Sequence, residues 1–254
     1  MATSSYKFSM SLQQLNFFLD KIHDLLSIDD EILIKINKDK ILLYSLVGEK
    51  MSVNAFKSFI YNTNEIFTFK DLIENEIRFI ITNGSKFENT LKNFIDFNES
   101  LNCEFFMNDD IYADNFKIRN SKLKLSINGG DIRSMNTSID IEKINNTLNK
   151  DNIDFKFVLD KNSYAKIKKI ASIDNENDIL ILSIIDKNLT IGETNNWDLK
   201  ICEIEHDDLS ITFPKKYFKS ITFTEDENNV YVFDTFLLID NQNTNLLIAL
   251  ELSV

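Results

Sequence analysis

The feature that most constrains this chain is a weak internal repeat. Residues 8–45 and the stretch beginning at Phe157 each offer a short apolar strand and then an amphipathic segment of about a dozen residues. A Ser-Ile-Asp element follows in both, at 27–29 and 172–174, and then two alternating strands separated by an Asp-Lys turn, Asp39-Lys40 and Asp186-Lys187. Any two strand-helix-hairpin units look alike in a chain rich in Ile and Asn. Agreement in order and spacing over about 35 residues favours duplication.

Each copy continues in parallel. The first runs through strands predicted at 55–61 and 77–82, a helix at 85–97, and strands at 103–107, 114–118 and 122–127. The second runs through strands at 198–205 and 209–213, a short helix opened by Pro214, and strands at 230–239 and 246–252. Proline suits a first helical position because its missing N–H costs nothing there. Between the copies, two adjacent glycines lead into the mainly polar stretch 129–152, which reads as a connector. The expected fold class is therefore α+β, with an N-terminal domain at 1–128, the connector at 129–152 and a C-terminal domain at 153–254.

A length of 254 residues, 43% apolar, with 21 Phe, is enough to bury a sizeable core in two such domains. No run of about 18 apolar residues lacks a charge, and the first ten residues lack the basic-then-apolar order of a secretory signal. The expectation is an intracellular protein in the cytoplasm, that of the host if the source is viral, with no membrane partner. Cys103 and Cys202 are isolated, which supports neither a disulfide framework nor a zinc site and reads as two buried thiols. The abundance of Asn, Ile and Lys fits an AT-rich genome.

A net charge of −12 argues against nucleic acid unless the cations are segregated. They are. In the helix predicted at 161–171, Tyr164, Ile167, Ile170 and Ala171 share one face, while Lys161, Lys166, Lys168 and Lys169 fall opposite. At 214–221, Tyr217, Phe218 and Ile221 oppose Lys215, Lys216 and Lys219. Neither segment contains an acid, and together they hold seven of the 28 bases, which leaves 21 bases against all 40 acids elsewhere. A single Lys-rich face is usually just a solvated one. Two in one half point to sequence-independent contact with phosphates. In the first half, Lys21, Lys86 and Lys92 are interspersed with Asp20, Asp24, Glu88 and Asp96.

Conventional catalytic equipment is missing from the pattern. His23 sits on the polar side of a helix predicted at 12–26, and His206 lies in the acidic run EIEHDD, neither beside a plausible nucleophile. The paired carboxylates Asp29-Asp30, Asp109-Asp110 and Asp207-Asp208 fall in turns. Residues 108–115 lack the glycine and distal glutamate of a calcium loop, and no GxxxxGK phosphate loop occurs. No cofactor, no metal and no enzymatic activity are expected.

This order of elements resembles the sliding clamps of the proliferating cell nuclear antigen type, and within them the trimeric polymerase clamps of tailed bacteriophages. The local likeness is greatest at 154–192, where a strand precedes KNSYAKIKKIASID and the unit ends at NLTIGE; the closing LLIALEL is similar to the terminal strand of such clamps. The resemblance implies two tandem DNA-clamp domains, each of antiparallel sheets with two helices on one face, assembled head to tail as a homotrimeric ring. It implies double-stranded DNA, a DNA polymerase and a clamp-loader ATPase as partners. Carried over, the DNA-facing role falls on Lys161, Lys166, Lys168, Lys169, Lys215, Lys216 and Lys219, and on Lys21, Lys86 and Lys92. A partner-peptide pocket beneath the connector would draw on Met135, Ile139, Ile141, Ile144, Leu252 and Val254, although spaced Ile residues also read as ordinary core. Two rival readings remain open at this level: a monomeric processivity factor of similar fold, and a phage structural or interaction protein of tandem β-domains.

Overall fold

The computed structural model describes residues 5–49, 52–70, 72–108, 111–131, 152–173, 178–194 and 196–250. It divides into two compact units, Met1–Val47 with Lys57–Ser138, and Gly48–Phe56 with Ile139–Val254. Among the described residues no helix is long and apolar enough to cross a membrane.

In chain order the first unit contains β1 (Ser5–Met10), α1 (Leu12–Leu25), β2 (Ile32–Ile36), β3 (Lys40–Glu49), the later part of β4 (Ser52–Asn62), α2 (Thr63–Ile66), β5 (Thr68–Phe69), β6 (Ile77–Ile81), α3 (Gly84–Lys92), β7 (Leu101–Met107), β8 (Tyr112–Arg119) and β9 (Lys124–Asn128). Its strands lie in the order β3-β2-β6-β8-β7-β1-β5, with β9 on β8. Pairing is antiparallel apart from the brief parallel contact of β6 with β8 at Arg78 and Phe79. The second unit contains β10 (Phe155–Asp160), α4 (Lys161–Ile170), β11 (Ile179–Ile185), β12 (Asn188–Glu193), β13 (Trp197–Glu203), β14 (Leu209–Pro214), α5 (Lys215–Phe218), β15 (Glu227–Phe233), β16 (Phe236–Asn241) and β17 (Thr244–Ala249). Here the orders are β13-β12-β11-β14 and β10-β15-β16-β17. The series β3-β2-β6 and β1-β7-β8-β9 of the first unit recur as β12-β11-β14 and β10-β15-β16-β17, so the repeat in sequence is a repeat in topology.

Local chemistry starts the helices where they are. Ser11 caps α1 through a reciprocal pair: its hydroxyl accepts from the Gln14 N–H at 3.2 Å, and the Gln14 side chain accepts from the Ser11 N–H at 2.9 Å. The Asp160 carboxylate accepts from the backbone of Asn162 and Ser163, both at 2.9 Å, at the start of α4. The hydrogen bond to Ser163 holds its pKa below the ordinary carboxylate value. The Asp186-Lys187 turn takes left-handed backbone at both residues, φ 49° and 65°, which matches the twist of a two-residue hairpin.

Alternation then sorts side chains by face. In β7, Leu101, Cys103, Phe105 and Met107 are buried, and Asn102 is exposed. In the first unit, Leu15, Phe18, Leu19, Ile22 and Leu25 of α1 cover this buried face. Phe8 is at the centre of a ring cluster, with centroids 4.6 Å from Phe67, 5.1 Å from Phe105 and 6.0 Å from Phe116. In the second unit, Tyr164 and Ile167 of α4 are buried, as are Leu180, Leu182, Ile184, Leu189, Ile191 and Phe213 of the strands.

Several elements differ from the sequence expectation. The helix expected at 85–97 ends at Lys92, and a separate 3-10 turn at Ile95–Phe97 leads into Asn98, whose φ of 50° reverses the chain. The single strand expected at 230–239 is two strands, because Asp234 and Thr235 form a two-residue turn that sets Phe233 opposite Phe236. Pro214 ends β14 and is the residue before α5, not its first helical residue. The short α2 and β5 were not anticipated, being too brief to show a period. Cys103 is buried, with burial pushing its thiol pKa upward, whereas Cys202 is only half-buried.

His206 pins the β13–β14 loop to the start of β10. Its ring lies 4.8 Å from the Phe155 ring, with Nδ1 2.8 Å from the Asp207 carbonyl and Nε2 3.2 Å from the Asp154 carboxylate. The Asp207 carbonyl chiefly raises its pKa above the ordinary 6.5, Asp154 adds to this, and partial burial opposes it. A raised folded-state pKa means that the protonated ring stabilises the fold fully below about pH 6.5, and that this contribution fades as pH rises through the folded value. Thermal unfolding of wild type and His206→Asn should therefore show a gap in Tm that is widest near pH 5 and narrows by about pH 8. A gap constant across that range contradicts the assignment.

Candidate nucleic-acid interface

The second unit brings α4 and α5 together through one aromatic side chain. Tyr164 projects from the buried side of α4, its ring 5.7 Å from Phe218 and 5.0 Å from Phe223, and its hydroxyl donates to the Lys219 carbonyl at 2.8 Å. A buried tyrosine whose hydroxyl finds a partner contributes both apolar area and direction. Here that fixes the end of α5 against the flank of α4.

The lysines of α4 divide by angle around the helix. Lys161, Lys166, Lys168 and Lys169 are all exposed. Lys166 and Lys169 project away from the buried Tyr164–Ile167 side, whereas the Lys168 ammonium lies 5.7 Å from the Tyr164 ring. On α5, Lys216 is exposed with its ammonium 4.5 Å above the Tyr217 ring, and Lys219 is half-buried. Cations lying on aromatic faces keep their charge while losing some conformational freedom. Backbone hydrogen bonds tie the starts of both helices to the chain beside them: the Lys161 N–H donates to the Asp226 carbonyl and the Lys215 N–H to the Asp178 carbonyl, both at 2.8 Å.

Lys215 corrects the sequence reading. It is 4% exposed, and its ammonium donates to Glu193 Oε1 at 2.9 Å, with the Glu193 side chain fully buried at the end of β12. A four-residue helix has no stable polar face of its own, so one of its two adjacent lysines turns inward to meet a buried carboxylate. Lys215 is a structural anchor for α5 and is unavailable to an outside anion. Glu193 carried no signal in the sequence beyond its place at the end of NLTIGE. Next to it, Gly192 approaches β13 so closely that a Cβ would meet the Trp197 carbonyl oxygen at 2.1 Å.

In the first unit, α1 and α3 are joined through Glu88, a buried carboxylate that meets His23 Nδ1 at 3.1 Å and Lys92 Nζ at 2.7 Å. Lys92 is thus partly neutralised, while Lys86 is exposed. The Lys21 ammonium lies 5.0 Å from the Phe17 ring and 5.3 Å from Phe59, folded onto rings and not projecting. The solvent side of these two helices is mostly neutral: Gln13, Asn16, Asn89 and Asn93 are exposed alongside Asp20, His23, Lys86 and Lys92. Met135, Ile139, Ile141, Ile144, Leu252 and Val254, the expected partner-peptide pocket, lie outside the described residues. Among the described residues, no three His, Cys, Asp or Glu side chains are grouped as a metal ion would require.

No protein-family model matches the sequence, and no curated protein matches it significantly. Solved structures do match. DNA polymerase III subunit beta from Borrelia burgdorferi superposes with a TM-score of 0.69 at 18% identity, over 97% of this chain and 65% of that one. The Helicobacter pylori beta clamp, solved bound to a DNA ligase peptide, gives 0.66 at 14% identity, over 98% and 67%. The proliferating cell nuclear antigen of Thermococcus kodakaraensis gives 0.64 at 15% identity, over 97% of this chain and 100% of that one. The chain thus spans about two thirds of the bacterial beta subunits and the whole of the archaeal antigen. Its fold is that of the sliding clamps: α+β, built from tandem repeats of antiparallel sheet with few helices.

The buried pair separates two neighbouring lysines by an equilibrium measurement. Lys215→Ala strands a buried carboxylate and should cost about 3–5 kcal/mol in urea unfolding, while Lys216→Ala should cost under about 0.5 kcal/mol. Equal costs contradict the inward placement of Lys215.

Proposed function

We propose that this chain is a DNA sliding clamp, a processivity factor that encircles duplex DNA and tethers the replicative polymerase without performing chemistry itself. The observation that carries the proposal is the gathering of exposed Lys161, Lys166, Lys168, Lys169 and Lys216 on two packed helices of a clamp fold whose net charge is −12. Flexible ammonium groups suit phosphate contacts that carry no sequence information. The remainder of the chain is net acidic, with 21 bases against 40 acids, so retention on a duplex depends on enclosure and the lysines offset repulsion inside. The first unit contributes less charge, through Lys86 and Lys92.

The repeated strand orders support domains at 1–128 and 153–254 around a connector at 129–152, with Gly48–Phe56, which includes the start of β4, grouping with the second unit. Two repeats per chain close a six-repeat ring as a head-to-tail homotrimer, because heterologous contacts close when their rotation divides a full turn. An ATP-driven loader opens the ring, and replication in the cytoplasm, as in a bacteriophage infection, is its setting. The ligase peptide on the Helicobacter pylori clamp supports a comparable peptide site here, formed by Met135, Ile139, Ile141, Ile144, Leu252 and Val254.

The test is primer extension with the cognate polymerase and loader. A variant carrying Lys166→Glu, Lys168→Glu, Lys169→Glu and Lys216→Glu should unfold at the wild-type temperature within a few degrees and lose polymerase stimulation by about tenfold or more. Unchanged stimulation contradicts the DNA-facing role of α4 and α5.

A further inference from the structure

The solvent face of the first unit's sheet carries a second concentration of positive charge, on the side away from α1. Lys7 of β1, Lys117 and Arg119 of β8, Lys124 of β9 and Lys70 just beyond β5 surround a depression of about 200 Å³. Phe8, Cys103 and Ile118 form its floor and are buried against the core that α1 covers, so alternation directs the cations outward. Arg119 stands directly opposite Lys124 in the β8–β9 register. Like charges in that relation destabilise a sheet. Among the described residues neither has a carboxylate in ion-pair range. The single acid in the lining, Glu104, lies between Lys7 and Lys117 in register and accepts from the Ser5 hydroxyl at 2.8 Å. Five cations against one acid, in a chain of net charge −12, make a site that an anion would relieve.

We propose that this face binds the phosphodiester backbone of single-stranded DNA, as a contact separate from the helical one. Asn102, exposed in the same lining, adds a neutral amide that can donate to a phosphate oxygen. None of the exposed large apolar residues, Leu72, Ile111, Val158, Ile173 and Ile185, lines the depression, so an acidic peptide finds no slot for an apolar anchor. A strand adding to the edge of β9, which among the described residues pairs only with β8, would extend the sheet and leave this face bare. A flexible strand can follow a twisted sheet face and set phosphates on Arg119 and Lys124, and beside Lys117, whose ammonium keeps its charge while lying 3.6 Å from the Phe106 ring; a stiff duplex follows such a face less well.

The test uses the full chain and a labelled oligothymidylate about 30 nucleotides long, read by fluorescence anisotropy at low salt. The variant Lys117→Glu, Arg119→Glu, Lys124→Glu should bind about tenfold more weakly or worse, with the slope of log affinity against log salt reduced by roughly 2, the share of three phosphates. Arg119→Gln with Lys124→Gln, which introduces no new charge, should lose affinity in the same direction by a smaller factor. A duplex of equal length should be affected much less. Unchanged single-strand affinity in both variants overturns the proposal, as does an equal loss for the duplex. A change in oligomeric mass on reversing these charges overturns it too, since the face would then be a protein contact. Because polymerase stimulation is read separately through α4 and α5, failure here leaves the clamp reading standing, and failure there leaves this contact standing.

Discussion

One-sided burial is the constraint on which the rest of this structure depends. An antiparallel sheet that packs one face against helices must send every second side chain the other way, and a short helix packed on that sheet must do the same with its outer half. In the first unit the rings around Phe8 and the five buried side chains of α1 fill the inner face. What is left for charge is the outer side of the helices and the outer side of the sheet. Both units repeat this arrangement, so the chain has two kinds of polar surface.

How those surfaces are charged depends on individual contacts and not on composition. Tyr164 locks α5 to α4 and thereby collects lysines from two elements that are about 50 residues apart in the chain. The same packing removes Lys215 from the surface, because Glu193 sits beneath it with no exposure of its own. In the first unit, Glu88 draws in His23 and Lys92, and aromatic rings hold Lys21. Two helical surfaces of equivalent topology thus differ electrically, the second cationic and the first nearly neutral.

The fold was largely legible in the sequence because it depends on periods, and periods survive where identities do not. The strand-helix-hairpin unit at 8–45 and its counterpart after Phe157 appear in the structure as β1-α1-β2-β3 and β10-α4-β11-β12. What escaped was short or interrupted. Asp234 and Thr235 turned one expected strand into two, Asn98 reversed the chain after a helix that stopped at Lys92, and α2 and β5 are below the length at which a period shows. The candidate site was legible to the extent that helical angle decides exposure: Lys166, Lys169 and Lys216 project outward as their spacing requires. Lys215 was not, since nothing in a four-residue helix reveals that a buried glutamate waits on another strand. The cations at Lys7, Lys70, Lys117, Arg119 and Lys124 are scattered along the chain, and only strand register makes them neighbours.

Enclosure of DNA requires closure, and closure is the claim that separates a sliding clamp from a protein that merely shares its fold. Electron-microscope images of the purified full chain at micromolar concentration test it most directly. Closed rings of three copies, with a central opening wide enough for a duplex, are the expected result. Particles of a single copy, or open chains with no central hole, would contradict it.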